Sequence, residues 1–379
     1  MRLATSPDRD KGSGGTSEAL ITVVFPVYNA GDAVAGLVAG ISRQRPPLGA
    51  DPVHWVDVIF IDNASTDNTV ERLEAELAVA NLPFSVRLMR NEENLGLARS
   101  FNRALGTVQT EYVLTCHADC RFGSDDYVAS AVDLLNRHPD VAVVSGQSVA
   151  DLDTGLSRVE KVYLAANLMD IFPDGAGELE PVGFAEGRCD GFRMQPLREA
   201  GFYDTTLRRA GEDQVLSARL RAAGHRVCRA PALRYYLSVS SDQDSLLKLV
   251  RHAQLFGRAH PYILLLNRGA SRGAVGATAG RNRTLRTTLR ALQLASAVAW
   301  VGLAASVVAR RLRVPAALAL VGTNLLKAVL FLRYVRQLKF ETRDVAALTA
   351  LQPALDVAYA TGVLKGLWHV LRPGERTIS

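Results

Sequence analysis

The chain has 379 residues, with 44 Lys and Arg against 38 Asp and Glu, and a formal charge of +6. Its 48% hydrophobic content excludes a disordered chain, and four cysteines without a CxxC pair exclude a disulfide framework. The charge is unevenly placed: Ser245 to Phe340 holds 16 Lys and Arg and no acid, which leaves the other 283 residues at −10 against the total of +6. An acidic globular part followed by an apolar, basic third points to a membrane surface and away from nucleic acid, whose basic patches rarely accompany long apolar runs.

Residues 1–18 are polar and Gly/Ser-rich with no apolar signal core, and are expected to be a disordered lead into a cytosolic, reduced catalytic domain. From Ala19 strands and helices alternate. Apolar β-branched runs predict strands at Ile21–Phe25, Val56–Ile61, Phe84–Met89, Tyr112–Cys116 and Val141–Ser145. Helix-period segments lie between them at Ala33–Ile41, Thr69–Ala80, Ala98–Leu105 and Asp126–Asn136, most of them preceded by a capping-type residue such as Asp32, Asp67 or Asp125. The pattern predicts an α/β domain over residues 19–240, a mostly parallel sheet flanked by helices. Ligands of such sheets bind beyond the strand carboxyl ends.

The residues at those ends are polar or acidic: Pro26-Val27-Tyr28-Asn29, then Asp62-Asn63-Ala64-Ser65-Thr66-Asp67, then Asn91-Glu92-Glu93-Asn94-Leu95-Gly96, then His117-Ala118-Asp119-Cys120-Arg121. Further on, Gly211-Glu212-Asp213 opens a helical run at Gln214–Ala223. Four polar tips on one edge describe a nucleotide-diphosphate pocket. Asp119, at the end of a buried strand, offers the carboxylate oxygen that Mg²⁺ or Mn²⁺ prefers, and its alternative role is a strand-end cap. Cys116, His117 and Cys120 invite a zinc reading, but neighbouring strand positions point to opposite sides and no fourth ligand is evident, so buried thiols are the expectation.

This constellation resembles the family 2 glycosyltransferases of GT-A fold. It does so through VVFPVYNA (Val23–Ala30), VIFIDNASTDNT (Val58–Thr69), NEENLGLARSFNRAL (Asn91–Leu105), LTCHADC (Leu114–Cys120) and AGEDQVLSARLRAAGHRV (Ala210–Val227). The five stretches come in the family's order over roughly residues 20–240. The resemblance places the donor nucleotide against Pro26, Tyr28, Asp62, Asn94, Gly96, Arg99, Ala118 and Asp119, with Asp62 as the base-reading carboxylate. Asp67 instead caps the following helix, and Arg99 faces either a phosphate or a helix-face carboxylate. Asp119 falls on the second acidic position of the family's DxD motif. The first position is His117, a departure that leaves strict metal dependence open.

Direct displacement at the sugar needs a carboxylate to take the acceptor proton. The resemblance gives that role to Asp213, the Asp of the family's ED pair, with Glu212 orienting it or binding acceptor; the competing reading is two first-turn acids favoured by the helix dipole. A single base with no nucleophile implies inversion. Gly183–Asp204 is similar to the acceptor-side segment, with Arg188 and Asp190 as contacts. Arg251 and Arg258, seven apart on one helix face, are candidates for the pyrophosphate or for lipid headgroups. The processive QxxRW motif is absent, which disfavours polymer threading, and no GxGxxG follows the first strand. Lys248–Leu266 is similar to the post-catalytic stretch of membrane-attached members, including the succinoglycan-type glucosyltransferases.

Residues 241–285 read as a basic amphipathic connector and 286–379 as membrane-associated helices. Leu289–Ala309 and Val314–Leu332 are long and apolar enough to span, at about the 20 residues required. Val345–Leu371 is a third segment, carrying Pro353, Asp356 and Lys365. The alternative is a soluble second domain, which leaves the missing acids unexplained. A hairpin with the catalytic part on the cytoplasmic face puts Arg310, Arg311 and Arg313 outside, against the positive-inside tendency.

The sequence is thus expected to be an inverting glycosyltransferase at the cell membrane, its catalytic domain facing the cytoplasm. It moves one sugar from a nucleotide-diphosphate donor to a hydroxyl of a polyprenyl-linked or polysaccharide acceptor. Transfer to polyprenyl phosphate itself and a catalytically degenerate binding subunit are the alternatives.

Overall fold

A computed structural model describes residues 19–152, 155–169, 171–172, 177–206, 211–237, 245–266 and 283–371. The expected lead at 1–18 and the connector arginines Arg268, Arg272 and Arg281 lie outside the described residues.

Among the described residues nine strands form one sheet: β1 (Ile21–Val27), β2 (Val56–Asp62), β3 (Ser85–Arg90), β4 (Tyr112–Cys116), β5 (Cys120–Phe122), β6 (Val141–Val149), β7 (Glu180–Pro181), β8 (Cys189–Arg193) and β9 (Arg226–Leu237). Their order is β3-β2-β1-β4-β8-β6-β9-β5, with β7 on β9. The run from β3 to β4 is parallel, whereas β8 is antiparallel to both of its neighbours, β4 and β6. The mostly parallel α/β class therefore holds, with an inserted antiparallel strand that brings residues 189–193 into the middle of the sheet.

Strand periodicity explains why the sheet is covered on both faces. Ile21, Val23, Phe25 and Val27 of β1 join one core with α1 (Val34–Ser42), α2 (Thr69–Ala80), α4 (Tyr127–Arg137) and α5 (Arg158–Ala166). Val24, with Ile59 and Ile61 of β2, joins the other with α3 (Leu97–Leu105), α6 (Met194–Glu199) and α7 (Glu212–Ala222). The helix caps differ from expectation. The N-caps of α1, α2 and α4 are Ala33, Asn68 and Asp126, none with a side-chain cap bond. The one full capping box described is Ser157 with Glu160, at the start of α5.

Beyond the sheet come α8 (Leu246–Leu266), α9 (Arg283–Ala305), the single turn Arg310–Leu312, α10 (Arg313–Gln337) and α11 (Thr342–Leu371). Among the described residues two helices, Thr284–Ala305 and Arg310–Gln337, are long and apolar enough to cross a membrane. The third predicted segment, α11, is not among them: Gln352, Pro353, Asp356 and Lys365 along it lower its apolar character, and Gln352 and Asp356 are buried. It lies against α8 at backbone contact: a Cβ placed on Gly362 would sit 2.1 Å from the Gln254 carbonyl oxygen, and one on Gly366 2.2 Å from that of Arg258. Glycine is required there because any side chain would push the helices apart. The base of the α9–α10 hairpin is tied to the α/β part by Arg286 Nε and Tyr334 Oη, which donate to the carbonyls of Leu168 and Met169, and by Lys161, which donates to that of Lys339.

Candidate active site

The parallel run aligns the tips of β1, β2 and β4 on one edge. Near the end of β1 Pro26 is buried, and just past the strand Tyr28 is exposed. Asp62 ends β2 and is 4% exposed, with both carboxylate oxygens 3.2 Å from the Ser65 amide, which donates to them. Asn29, at φ 47, accepts from the Thr66 amide at 2.8 Å. Asp67 accepts from the Thr69 hydroxyl and from the amides of Thr69 and Gly31. Burial alone would raise its pKa, and these hydrogen bonds together hold it below the usual value. Asp67 thus fastens the two loops together and takes no helix-cap position.

The third loop is pinned by amides. Asn63 Nδ2 donates to Asn94 Oδ1 at 2.9 Å, and Asn63 Oδ1 accepts from Asn91 Nδ2 and from the Leu95 amide. Asn94 Oδ1 also accepts from the Gly96 amide, and Gly96 stands at φ 82 as it opens α3. That backbone conformation admits glycine far more readily than a residue with a Cβ. Arg99 is exposed on α3 with no ion pair among the described residues.

At the β4 tip His117, Ala118 and Asp119 line the cleft, all partly exposed. Asp119 Oδ2 accepts from Arg188 Nη1 at 3.2 Å, and His117 Nδ1 lies 3.9 Å from Asp119 Oδ1. Burial, with the Arg188 charge adding to it, lowers the His117 pKa to about 4, so its imidazole is neutral at physiological pH. Cys116 and Cys120 are buried thiols, and Cys116 contacts Cys189, its register partner on β8, at 3.2 Å between sulfurs. Burial pushes the Cys120 thiol up to about 12.

The segment preceding β8 joins the donor edge to α7. Arg188 reaches Asp119 with one nitrogen and donates to Tyr163 Oη with the other at 3.3 Å. Its neighbour Gly187, at φ +71, lies so close to α7 that a Cβ on it would be 3.1 Å from Asp213 Cβ. Two consecutive residues therefore touch the tip of β4 and the first turn of α7. Burial and the adjacent Glu212 charge push the Asp213 pKa well up, and burial raises that of Glu212, while Arg188 pulls it down. Glu212 Oε2 is buried and makes no hydrogen bond among the described residues.

Two sequence expectations need correction. Asp190 is 0% exposed within β8, accepting from Ser145 Oγ at 2.6 Å and from the Gly187 amide at 2.7 Å. It holds the loop that carries Arg188 and has no open face for an acceptor. Burial raises its pKa to about 7. Arg258 contacts His369 of α11 and so sits at the helix junction instead of the strand tips, while Arg251 is exposed on the same helix. Residues that sequence reasoning missed include Tyr163, on a helix with no motif, and the Glu186–Arg229 ion pair at 3.2 Å, which Tyr235 Oη also joins. Glu186 stands two residues before Arg188, inside a stretch already singled out, and its buried partner is legible only from the β6–β9 pairing.

Among the described residues no group of three or more His, Cys, Asp or Glu comes together as a ready-made metal cage. The β4 tip offers one carboxylate and one neutral imidazole. That set fits a cation that completes its shell with water and substrate phosphate oxygens, and it does not fit a structural zinc.

Residues 22–201 match the family described as glycosyl transferase family 2. A 106-residue stretch is 30% identical to the putative teichuronic acid biosynthesis glycosyltransferase TuaG of Bacillus subtilis, covering 28% of this chain and 38% of that one. A 100-residue stretch is 29% identical to glycosyltransferase GlyG of Streptococcus pneumoniae, covering 26% and 30% of the two chains. The matches thus span about a third of the length of the curated relatives, and the likeness is confined to that part. The whole architecture is similar to that of the mannosyltransferase PcManGT of Pyrobaculum calidifontis, solved with GDP-Man and Mn²⁺. The TM-score is 0.55 at 20% identity, covering 97% of this chain and 91% of that one, a likeness of fold.

Proposed function

Since the chain carries a family 2 glycosyltransferase domain of GT-A fold, we propose that it is an inverting enzyme. In this reading it moves one sugar from a nucleotide-diphosphate donor to a hydroxyl of a membrane acceptor, polyprenyl-linked, for cell-surface polysaccharide. The observation that carries the reading is the loop at Gly187-Arg188, which abuts Asp213 on one side and Asp119 on the other and so supports pairing a proton acceptor with a diphosphate-side carboxylate.

Asp213 is the base. Burial and the neighbouring carboxyl favour its protonated form, and the positive character that develops at the sugar's anomeric carbon as the bond to the diphosphate breaks favours the carboxylate that takes the acceptor proton. Glu212 orients it. Asp62 and Tyr28 border the base, and the Asn63–Asn94 pair holds the loop at Gly96 against the nucleotide. Asp119 and His117 hold a divalent cation, Mn²⁺ or Mg²⁺, which supplies charge stabilisation for the departing diphosphate. PcManGT, solved with Mn²⁺, supports that class of ion.

The two apolar helices support attachment to a membrane. The basic run at the hairpin base, beside the α/β part, supports a catalytic domain on the cytoplasmic side. A lipid-linked acceptor follows from confining both reactants to one surface. The test is to incubate membranes carrying the protein with a panel of labelled nucleotide sugars, with lipid acceptor, without it, and with bare polyprenyl phosphate. Asp213→Asn is expected to lower transfer about 10²- to 10⁴-fold while donor binding persists. Wild-type turnover by that variant would remove Asp213 from the role, and product formed only with bare lipid phosphate would change the acceptor class.

A further inference from the structure

Building on the reading of Asp119 as the cation's carboxylate, we infer that Arg188 is a latch on that site: in the ligand-free protein its guanidinium occupies Asp119, and a divalent cation gains the carboxylate by displacing it. Three contacts hold the arginine there. Nη1 donates to Asp119 at 3.2 Å, Nη2 donates to Tyr163 Oη at 3.3 Å, and its own carbonyl accepts from the His117 amide at 2.8 Å. The first of these is a single contact to one oxygen, without the two-point fork of a strong Arg–carboxylate pair. The other oxygen, Oδ1, has only the Cys120 thiol at 3.6 Å and His117 Nδ1 at 3.9 Å. Both partners keep 16–17% of their side-chain surface, so water and ligand reach the pair.

The charge count gives the latch its consequence. Two acids on one strand tip would draw a bare cation; here one acid is replaced by His117 and the other is neutralised by Arg188. The tip's one carboxylate is therefore already paired with a cation of the chain's own until a diphosphate brings further negative charge. A diphosphate also offers the guanidinium the two-point acceptor that Asp119 does not. Arg188 then passes from carboxylate to phosphate as the cation takes Asp119, with no covalent change. In setting the cation affinity Arg188 is a positioning residue that acts through Asp119, and only its later contact is with the diphosphate itself.

The test is Mn²⁺ binding to the full-length protein in detergent without nucleotide, read as loss of the free-ion electron paramagnetic resonance signal. Arg188→Gln is expected to bind Mn²⁺ about fivefold more tightly than wild type, the scale of a partly exposed ion pair. Tyr163→Phe, which removes only the hydroxyl steadying Nη2, is expected to shift affinity the same way by less, and keeps the proposal falsifiable should Arg188→Gln not fold. Arg188→Lys should restore weak binding. Equal Mn²⁺ affinity in wild type, Arg188→Gln and Tyr163→Phe, with binding still abolished by Asp119→Asn, overturns the latch and leaves the cation ligand standing. Binding that survives Asp119→Asn, or is absent from every variant, overturns that ligand and the latch together.

Discussion

In the sheet, the Val, Ile and Phe side chains of β1 and β2 are buried and the polar groups gather at the strand tips. In the α9–α10 hairpin the order is reversed. Val298, Val314, Leu318 and Leu325 face outward, with Val307 at 85% and Val308 at 92% exposure near the turn. Inside the helical region Gln293, Ser296, Lys327 and Asp356 are each at most 1% exposed. Ser296 donates to Thr323 across α9 and α10, and Lys327 pairs with Asp356 of α11 at 2.5 Å. Apolar surface is expelled from water in one region and presented outward in the other. The second arrangement suits a surrounding of hydrocarbon, where packing and internal polar pairs join helices because apolar burial cannot.

Three measurements would break or sharpen this contrast. Lys327→Met leaves Asp356 buried and unpaired, and should cost about 3–5 kcal/mol of stability in detergent, with Lys327→Met combined with Asp356→Leu recovering most of it. A loss below about 1 kcal/mol would show that this interior is wet and the reversal superficial.

The α/β part should answer to pH instead. Burial raises the folded pKa of Asp190 from 3.8 to about 7, above its unfolded value, so its stabilising contribution is complete below about pH 4 and is lost as pH rises through about 7. Asp190→Asn is expected to flatten the decline in melting temperature over that window, though Glu212 and Asp213, shifted the same way, retain part of it. An unchanged slope would show that Asp190 is ionised in the fold. The smallest effect is expected from Ser157→Ala, which removes the capping box of α5 and should cost about 1 kcal/mol by thermal melt without altering transfer.

The alternating elements from Ile21 to Arg137, apart from the three-residue β5, were legible to within one or two residues, because period-2 and period-3.6 patterns alternate there with clear polar breaks. The strands inserted later were not. β8 reads CDGFR, with a buried acid and a glycine where a strand pattern expects apolar side chains, and β9 carries Pro231 and a register shift near it. Asp190 was misread for the same reason: whether a strand residue points into a core or a cleft depends on pairing, which adjacent residues do not encode. The strand-tip positions were legible because topology alone puts them on one edge. The tie between Asp119 and α7 was not, since it runs through Arg188 and Gly187, about 70 residues from one and 25 from the other along the chain.

The glycine contacts between α8 and α11 set an order of assembly. Gln254 Nε2 bonds Thr361 across 107 residues, with the whole hairpin lying between. During synthesis α8 emerges early, its face around Gly257 shaped for a backbone that does not yet exist. Closing that span is the late, entropically demanding step, since long-range pairing is rewarded only after the loop between is ordered. The sheet can form while α8 waits, and the helix that α8 waits for is made only after the hairpin between them.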